Sequence, residues 1–357
     1  MLHKIDFYII KKFLGTFFYA IALIISISIV FDVSENIDDF MAKDVPLRAI
    51  VFDYYLNFIP YFANLFSGLF TFIAVIYFTS KLAYDTEIIA ILCSGVSFNR
   101  LMRPYIVSAA VIALFSYLLG NYVIPPANLK KVEFRNQYIG TRTDKYETNI
   151  HRQIEPGIFV FLESFTSNDV GYKFTLEKFV DHRLVSKLTS EYIKWDREKK
   201  KWTIHNYYVR SIDGRKETIK QGIQIDTTLN MTPADYQVVD NIVETMTLPK
   251  LNTSIASLKL RGVNTTDYEI EKHKRMAGPF SAFILSIIGV SLASRKVKGG
   301  IGYHLGLGLL LSFSYILFMQ VTTVFTTSGM LDPWIAMWIP NVVYGAFAFY
   351  LYRRAAR

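Results

Sequence analysis

Apolar and polar positions follow two regimes along the chain. Six stretches contain no Asp, Glu, Lys or Arg: Phe13 to Phe31, Tyr54 to Ser80 (interrupted by Pro60), Tyr105 to Ile124, Met276 to Ser294, Gly299 to Leu331 and Pro333 to Tyr352. Each approaches or exceeds the roughly 20 apolar residues that carry a helix across a bilayer, so the pattern predicts six membrane-spanning helices. From Ala127 to about Arg275 the period changes to two. In GIQIDTTLN, Ile223, Ile225, Thr227 and Leu229 fall on one face, and Gln224, Asp226 and Thr228 on the other. The segments GIFVFLESF, GYKFTLEKF, KWTIHNYYVR and GIQIDTTL are separated by turn formers, including Ser167-Asn168-Asp169 and Asp213-Gly214, and read as antiparallel strands. Strands without intervening helices point to a sandwich or jelly roll. Leu251, Ile255 and Leu258 return to helical spacing after Pro249 and predict one short helix closing this region. The predicted fold is membrane α+β, with an antiparallel, jelly-roll-like β domain inserted between the third and fourth of six transmembrane helices. Residues 1–126 hold spans one to three, 127–274 the β domain and 275–357 spans four to six.

Between spans two and three lies an amphipathic segment, Lys81 to Pro104. Asp85, Thr86 and Glu87 supply the oxygen-bearing side chains that suit a helix start. Ile88, Ile91 and Leu92 then share one helical face. Ser94 and Gly95 interrupt the helix before Val96, Phe98, Leu101 and Met102 resume the apolar side. Two readings stand: a connecting helix in the headgroup layer, or a docking helix over about residues 85–99 that a cytosolic partner grips and pushes.

Charge orients the chain. The formal net charge is +9, but the basic residues collect at the ends of apolar runs rather than in a nucleic-acid-binding patch. Lys4, Lys11, Lys12, Lys81, Arg100, Arg103, Arg295, Lys296, Lys298, Arg353, Arg354 and Arg357 fall on one side of a six-span topology. The other side carries the acidic loop DVSENIDDFMAKDVPLR and a last loop whose only charge is Asp332. The positive-inside rule makes the first side cytoplasmic, with both termini there and the β domain outside. The first apolar run is too long for a signal peptide, and no small-x-small cleavage site follows it; the next residues include Asp32, Ser34 and Glu35. The single cysteine, Cys93, excludes an intramolecular disulfide and a cysteine metal cluster.

Enzymatic patterns are missing. No G-x-x-x-x-G-K-[ST], His-Glu-x-x-His or Gly-x-Ser-x-Gly occurs. His3, His151, His182, His205, His273 and His304 lack a second ligand at metal-binding spacing. The pairs Asp38-Asp39 and Glu269/Glu271 read as solvated charge. The Asn230, Asn252 and Asn264 triplets matter only in a eukaryotic secretory compartment. The glycines of KGGIGYHLGLG suggest close helix packing. Span interiors hold almost no ionisable residue, unlike a proton or ion pathway. Their Phe, Leu, Ile and Met walls suit a lipid-like cargo or the bilayer itself. Lys43 and Arg48 before span two, and Lys130, Lys131 and Arg135 after span three, could meet anionic headgroups or remain a solvated surface.

Three stretches in this order around a β domain give the chain a family likeness. The first is TEIIAILCSGVSFNRLMRP, an acidic residue followed by an apolar alternation, Ser-Gly-Val-Ser and a closing Arg-x-x-Pro. The second is YEIEKHKRMAGPFSAFILSIIGVSLASRKVKGG. The third is AMWIPNVVYGAFAFYLYRR, with Trp338, Pro340 and Asn341. Together they resemble the LptF/LptG (YjgP/YjgQ) permeases of the lipopolysaccharide exporter over nearly the whole chain. The resemblance implies a transport subunit of the bacterial inner membrane rather than an enzyme. It implies a periplasmic jelly roll, a second permease of the same family and a cytosolic ABC ATPase dimer that holds the ATP and magnesium, with no cofactor in this chain. Glu87, Ile88, Ile91, Leu92, Gly95 and Val96 would then sit in the ATPase groove. Spans one and five would form a lateral gate for lipopolysaccharide, which passes to the jelly roll and on to periplasmic bridge proteins. Lys43, Arg48, Lys130, Lys131 and Arg135 occupy regions where the family places headgroup contacts. The rival classes are a membrane-anchored scaffold or adaptor and a membrane hydrolase acting on an envelope lipid.

Overall fold

The computed structural model describes residues 4–139, 148–166, 168–181, 183–214, 216–233, 242–260, 263–295 and 300–356. His3, Ser167, His182, Lys296, Lys298, Gly299 and Arg357, all used above, lie outside them. The chain divides into a helical unit, Met1–Ile139 with Val243–Leu251 and Thr266–Arg357, and a second unit, Gly140–Ile242 with Asn252–Thr265.

The helical unit begins with α1, Lys4–Ala42, whose Asp6, Ile9, Phe13, Phe17 and Ile21 form a buried stripe at three- and four-residue spacing. α2 spans Leu47–Tyr84, α3 Glu87–Cys93 and α4 Phe98–Ile139. The acidic stretch read as a loop is the last part of α1. Asp32 accepts hydrogen bonds from the Tyr54 and Tyr55 hydroxyls of α2 at 3.2 and 3.0 Å. Phe40 packs with Tyr54, Phe58 and Phe134, so the segment gains a buried aromatic face and remains helical.

Prolines do not end these helices: the run through Pro60, read as one span, is continuous, and the run read as closing at Ile124 goes on. Pro60 lies inside α2, downstream of a π-helical segment at Ile50–Tyr55. Pro125 and Pro126 open a turn of α4 directly after a second π-helical segment, Leu119–Val123. A π turn shifts the bonding register by a residue, and it accommodates the missing proline N–H and the ring's bulk without a break. Helix α4 therefore continues to Ile139 through Ala127, where the sequence reading began its β domain.

After the sheet unit come α5, Leu248–Leu260, then α6, Thr266–Ala277, and α7, Phe280–Ala293. α6 and α7 are bent by 46° at Gly278-Pro279. α8 covers Gly300–Thr327 and α9 Pro333–Ala355. Among the described residues, five helices are long and apolar enough to cross a membrane, or up to six if the bent pair counts as one span. Asn341 of α9 ties the bend in place by donating to the Ala277 carbonyl at 2.9 Å and accepting from the Tyr315 hydroxyl of α8 at 2.8 Å.

Glycine spacing serves packing only at some positions. A Cβ on Gly289 of α7 would stand 2.7 Å from Val75 and 3.2 Å from Phe72 of α2. Gly308 of α8 packs against Ile76, whereas a Cβ on Gly302 or Gly306 would meet nothing within 4 Å. Close packing thus holds for Gly308 of the glycine run, but not for Gly302 or Gly306.

The second unit is an antiparallel sheet of β1, Thr148–Glu155; β2, Ile158–Phe165; β3, Val170–Tyr172; β4, Thr175–Val180; β5, Arg183–Asp196; β6, Lys201–Asp213; and β7, Lys216–Thr227. The order is β1-β2-β3-β5-β6-β7, with β4 paired to β2 and β5. The stretch GYKFTLEKF divides into β3 and β4 at Lys173, which has a φ of 51°. Val160, Leu162, Phe174, Ile193, Trp202 and Ile204 are buried together, and the Trp202 indole donates to the Met231 carbonyl at 2.9 Å. Asp213 pairs with Lys216 around Gly214, as the Asp-Gly signal predicts. The apolar face expected of β7 is not buried: Ile223 is 80% exposed on this edge strand. A membrane protein of apolar helices and one antiparallel β region results.

Candidate functional site

Helix α3 is a seven-residue turn element set between two backbone reversals. Thr86 has a φ of 65° and Gly95 a φ of 90°. Thr86 occupies the N-cap position without a side-chain capping bond, so the oxygen caps expected of Asp85 and Thr86 are not formed there. The chain restarts at Ser97, whose hydroxyl accepts from the Arg100 amide at 3.3 Å and caps α4. Phe98, Leu101 and Met102 consequently belong to a transmembrane helix rather than to a continuous 85–99 peg.

The predicted apolar face of α3 is divided by function. Ile88 is fully buried, and Ile91 packs at the edge of the same core. Leu92 faces outward with Ile89, while Gly95 is exposed and Val96 half-buried. Glu87 accepts a hydrogen bond from the Tyr8 hydroxyl of α1 at 3.2 Å. The element thus has one side plugged into the helices and another, carrying Ile89 and Leu92, open to a partner.

Neighbouring contacts hold this end of the unit. Asp6 of α1 receives both outer nitrogens of Arg100 at 2.8 and 2.6 Å, a geometry that matches the guanidinium fork to a carboxylate. The Tyr352 hydroxyl of α9 donates to Asn99, and its ring lies 6.0 Å from Phe98. These pairings escaped the sequence reading, because nothing in the local spacing links positions so far apart.

The five basic residues assigned to headgroups gather at the opposite end, where α1 stops, α2 starts and α4 finishes around Phe40, Tyr54 and Phe134. Lys43, Arg48, Lys130 and Arg135 are exposed there. Lys131 is half-buried, with its ammonium 4.8 Å from the Tyr61 ring centroid.

Next to Tyr61 a cavity of about 260 Å3 is lined by Asn64, Ser116, Glu244, Glu271 and Arg275 among others. Arg275 is buried; it bonds Glu271 at 2.7 Å and the Met246 carbonyl at 2.7 Å, with Val243 and Glu244 carbonyls at 3.3 and 3.4 Å. Glu271 is therefore an ion-pair partner of a buried arginine rather than solvated charge. Burial pushes the Glu244 carboxyl above the ordinary glutamate range, and the Glu271 charge pushes the same way. Lys274, Lys131 and Arg275 oppose that shift. The sequence reading missed this cluster because Glu244 lies far from α6 in the chain.

Among the described residues, no group of three or more His, Cys, Asp or Glu side chains is placed to hold a metal ion. His304 is buried, with Nε2 3.2 Å from the Arg295 carbonyl.

A comparison with curated proteins finds no match. The sequence model of the family described as lipopolysaccharide export system permease LptF/LptG matches residues 7–354, which takes in both units and every transmembrane helix from α1 to α9. The family is a transport permease of the inner membrane and not a catalytic enzyme. The chain belongs to the LptF/LptG family of lipopolysaccharide export permeases.

Proposed function

We propose that the chain is one permease of an ATP-driven exporter that withdraws lipopolysaccharide from the inner membrane. A cytosolic ABC ATPase dimer, which holds ATP and magnesium, grips α3. A second permease of the same family completes the cavity. Both termini and α3 face the cytoplasm, in keeping with the arginines and lysines at that end. The sheet faces the periplasm, forms part of a jelly roll and passes cargo to similar β domains of bridge proteins.

The observation that carries this reading is the two-sided character of α3. Ile88 is locked among the transmembrane helices while Ile89 and Leu92 remain outward. A partner that moves the outer face therefore moves α2 and α4. Displacement matters because each CH2 withdrawn from a greasy surround costs about 0.8 kcal/mol, so several acyl chains do not leave a bilayer unaided. The long apolar outer faces of α1 and α8, which include Phe18, Leu23, Val30, Leu310, Phe313 and Leu317, suit the two sides of a lateral gate. Lys43, Arg48, Lys130, Lys131 and Arg135 stand at the far end, where they would receive phosphorylated sugar headgroups.

Two measurements test the reading. Glu87→Arg, which sets a cation beside the outer face of α3, abolishes co-purification with the ATPase; retention of the full complex would count against α3 as the grip. Photocrosslinkers in α1, α8 and β2 label lipopolysaccharide during ATP turnover. Labelling confined to the helices would make the sheet a partner adaptor, and hydrolysis of an envelope lipid by the chain alone would replace export with catalysis.

A further inference from the structure

At the end of the helical unit that carries α3, helices α4, α7 and α9 enclose a groove of about 850 Å3. Ile106 and Val107 of α4, Ile284 and Ile287 of α7, and Ala348 and Phe349 of α9 form its walls. The volume lies within the roughly 300–1,000 Å3 of sites that hold small ligands. Polar side chains gather at one mouth. Two of them are already engaged: Arg100 with Asp6, and Asn99 with Tyr352.

Two guanidinium groups, one lining the groove and one over a ring of its wall, have no ion-pair partner among the described residues. Arg103 lines the groove, is exposed and has no ion-pair partner among the described residues. Arg353 lies over the Phe349 ring at 4.9 Å from the centroid and likewise has no ion-pair partner among the described residues. An apolar groove flanked by two cations without ion-pair partners is complementary to an amphiphile with a fatty tail and an anionic head. Phosphate fits best, because its oxygens accept the paired N–H groups of a guanidinium fork.

We propose that the groove holds one acyl chain of an anionic glycerophospholipid from the surrounding leaflet, with its phosphate between Arg103 and Arg353. The slot is open where the chain must lie: a Cβ built on Gly345 meets nothing within 4 Å. Tyr352 forms one wall and also bonds Asn99, two residues after the Ser97 cap that follows α3. A seated lipid therefore braces α9 against the exit from α3. The proposal rests on the chain spanning a membrane and not on the ATPase grip. Retention of the ATPase by Glu87→Arg, with the lipid preference intact, would defeat the grip alone.

The test is native mass spectrometry of the full chain with its partners, released from vesicles of phosphatidylglycerol and phosphatidylcholine with matched acyl chains. The wild-type protein is expected to keep phosphatidylglycerol about thirtyfold more than phosphatidylcholine, given the worth of two arginines at an anionic headgroup. Arg103→Gln with Arg353→Gln abolishes the preference, while Arg103→Lys with Arg353→Lys retains most of it. Gly345→Leu fills the slot with both charges in place and lowers retention of both lipids. Equal retention of the two lipids by the wild type would overturn the proposal, as would indifference to the paired Gln change and to Gly345→Leu. Displacement of phosphatidylglycerol by added lipopolysaccharide would assign the groove to the export path. Cross-linking of Gly345→Cys to another protein chain in the bilayer would assign it to a protein neighbour.

Discussion

Asp6 and Arg100, 94 residues apart, form a two-pronged ion pair that fastens the start of α1 to the first turn of α4. The Asp6 side chain is only 5% exposed, so the carboxylate depends on that guanidinium for much of the solvation it gives up. Asp6→Asn keeps the shape and removes the charge. The expected result is a loss of a few degrees in unfolding temperature by scanning fluorimetry, with α1 the first element to exchange its amide hydrogens.

The two sides of α3 separate positioning from contact. Ile88→Ala empties a fully buried site and should cost about 3 kcal/mol of stability, in line with isoleucine truncation in a core. Leu92→Ala, on the outer face, should leave the unfolding temperature unchanged. Both should weaken association with the proposed ATPase partner, as read by co-purification. Equal stability loss in the two variants would mean that the outer face is packed against this chain after all.

The single cysteine offers a topological readout without engineering. Cys93 is exposed at the end of α3. A membrane-impermeant maleimide should fail to label it in intact spheroplasts, and label it once the inner membrane is opened. Bound ATPase should then slow the reaction. Labelling from the periplasmic side would invert the proposed orientation.

Helix contacts in this protein tolerate methyl groups unequally. Gly289→Ala places a carbon against Val75 and Phe72 and should cost about 1–3 kcal/mol by overpacking. Gly302→Ala and Gly306→Ala enter open space and gain helix propensity, so unfolding temperatures should hold or rise slightly. Circular dichroism melts of the three variants decide the point.

Glu244 gives the helical unit a pH dependence whose sign follows from its raised pKa. When the folded state holds the proton more tightly than the unfolded chain, the stability present below the ordinary glutamate range is lost as pH rises through the folded value. Glu244→Gln, which stays neutral, should therefore be more stable than the wild type at pH 8 and equal to it at pH 4. Denaturant melts across that range read the crossing directly.

The sequence disclosed elements whose period is set by burial: the apolar runs of α1, α2, α4 and α7 to α9, the strands β2, β3 with β4, β6 and the second half of β7, and the short helix at Leu248–Leu260; β1 and β5 were not among the segments read as strands. It misplaced ends. Asp32 to Ala42 looked like a loop because its composition is acidic, yet two tyrosine hydroxyls from α2 satisfy Asp32 and an aromatic cluster covers Phe40. Pro125 and Pro126 looked like a stop because local rules do not register the π turn before them. Around the candidate site, the inward Ile88 and the break at Gly95 were legible from spacing and from glycine's character. The outward turn of Leu92 was not, since a seven-residue helix is too short for its periodicity to fix its rotation. Arg275 and Glu244 meet only through the tertiary fold, and no window along the chain contains both.

The left-handed conformation of Thr86 has a mechanical consequence for α3. A β-branched residue held there stores about 1–3 kcal/mol that glycine would release. The rotor before the helix is therefore loaded, while the one after it, Gly95, holds its positive φ without that strain. Seven residues span only about 10 Å, too little length to flex, so the piece between them tilts as a unit. A shove on its outer side should reach α2 against a preset spring and α4 through an unstrained coupling, which makes the response of the two helices unequal from the outset.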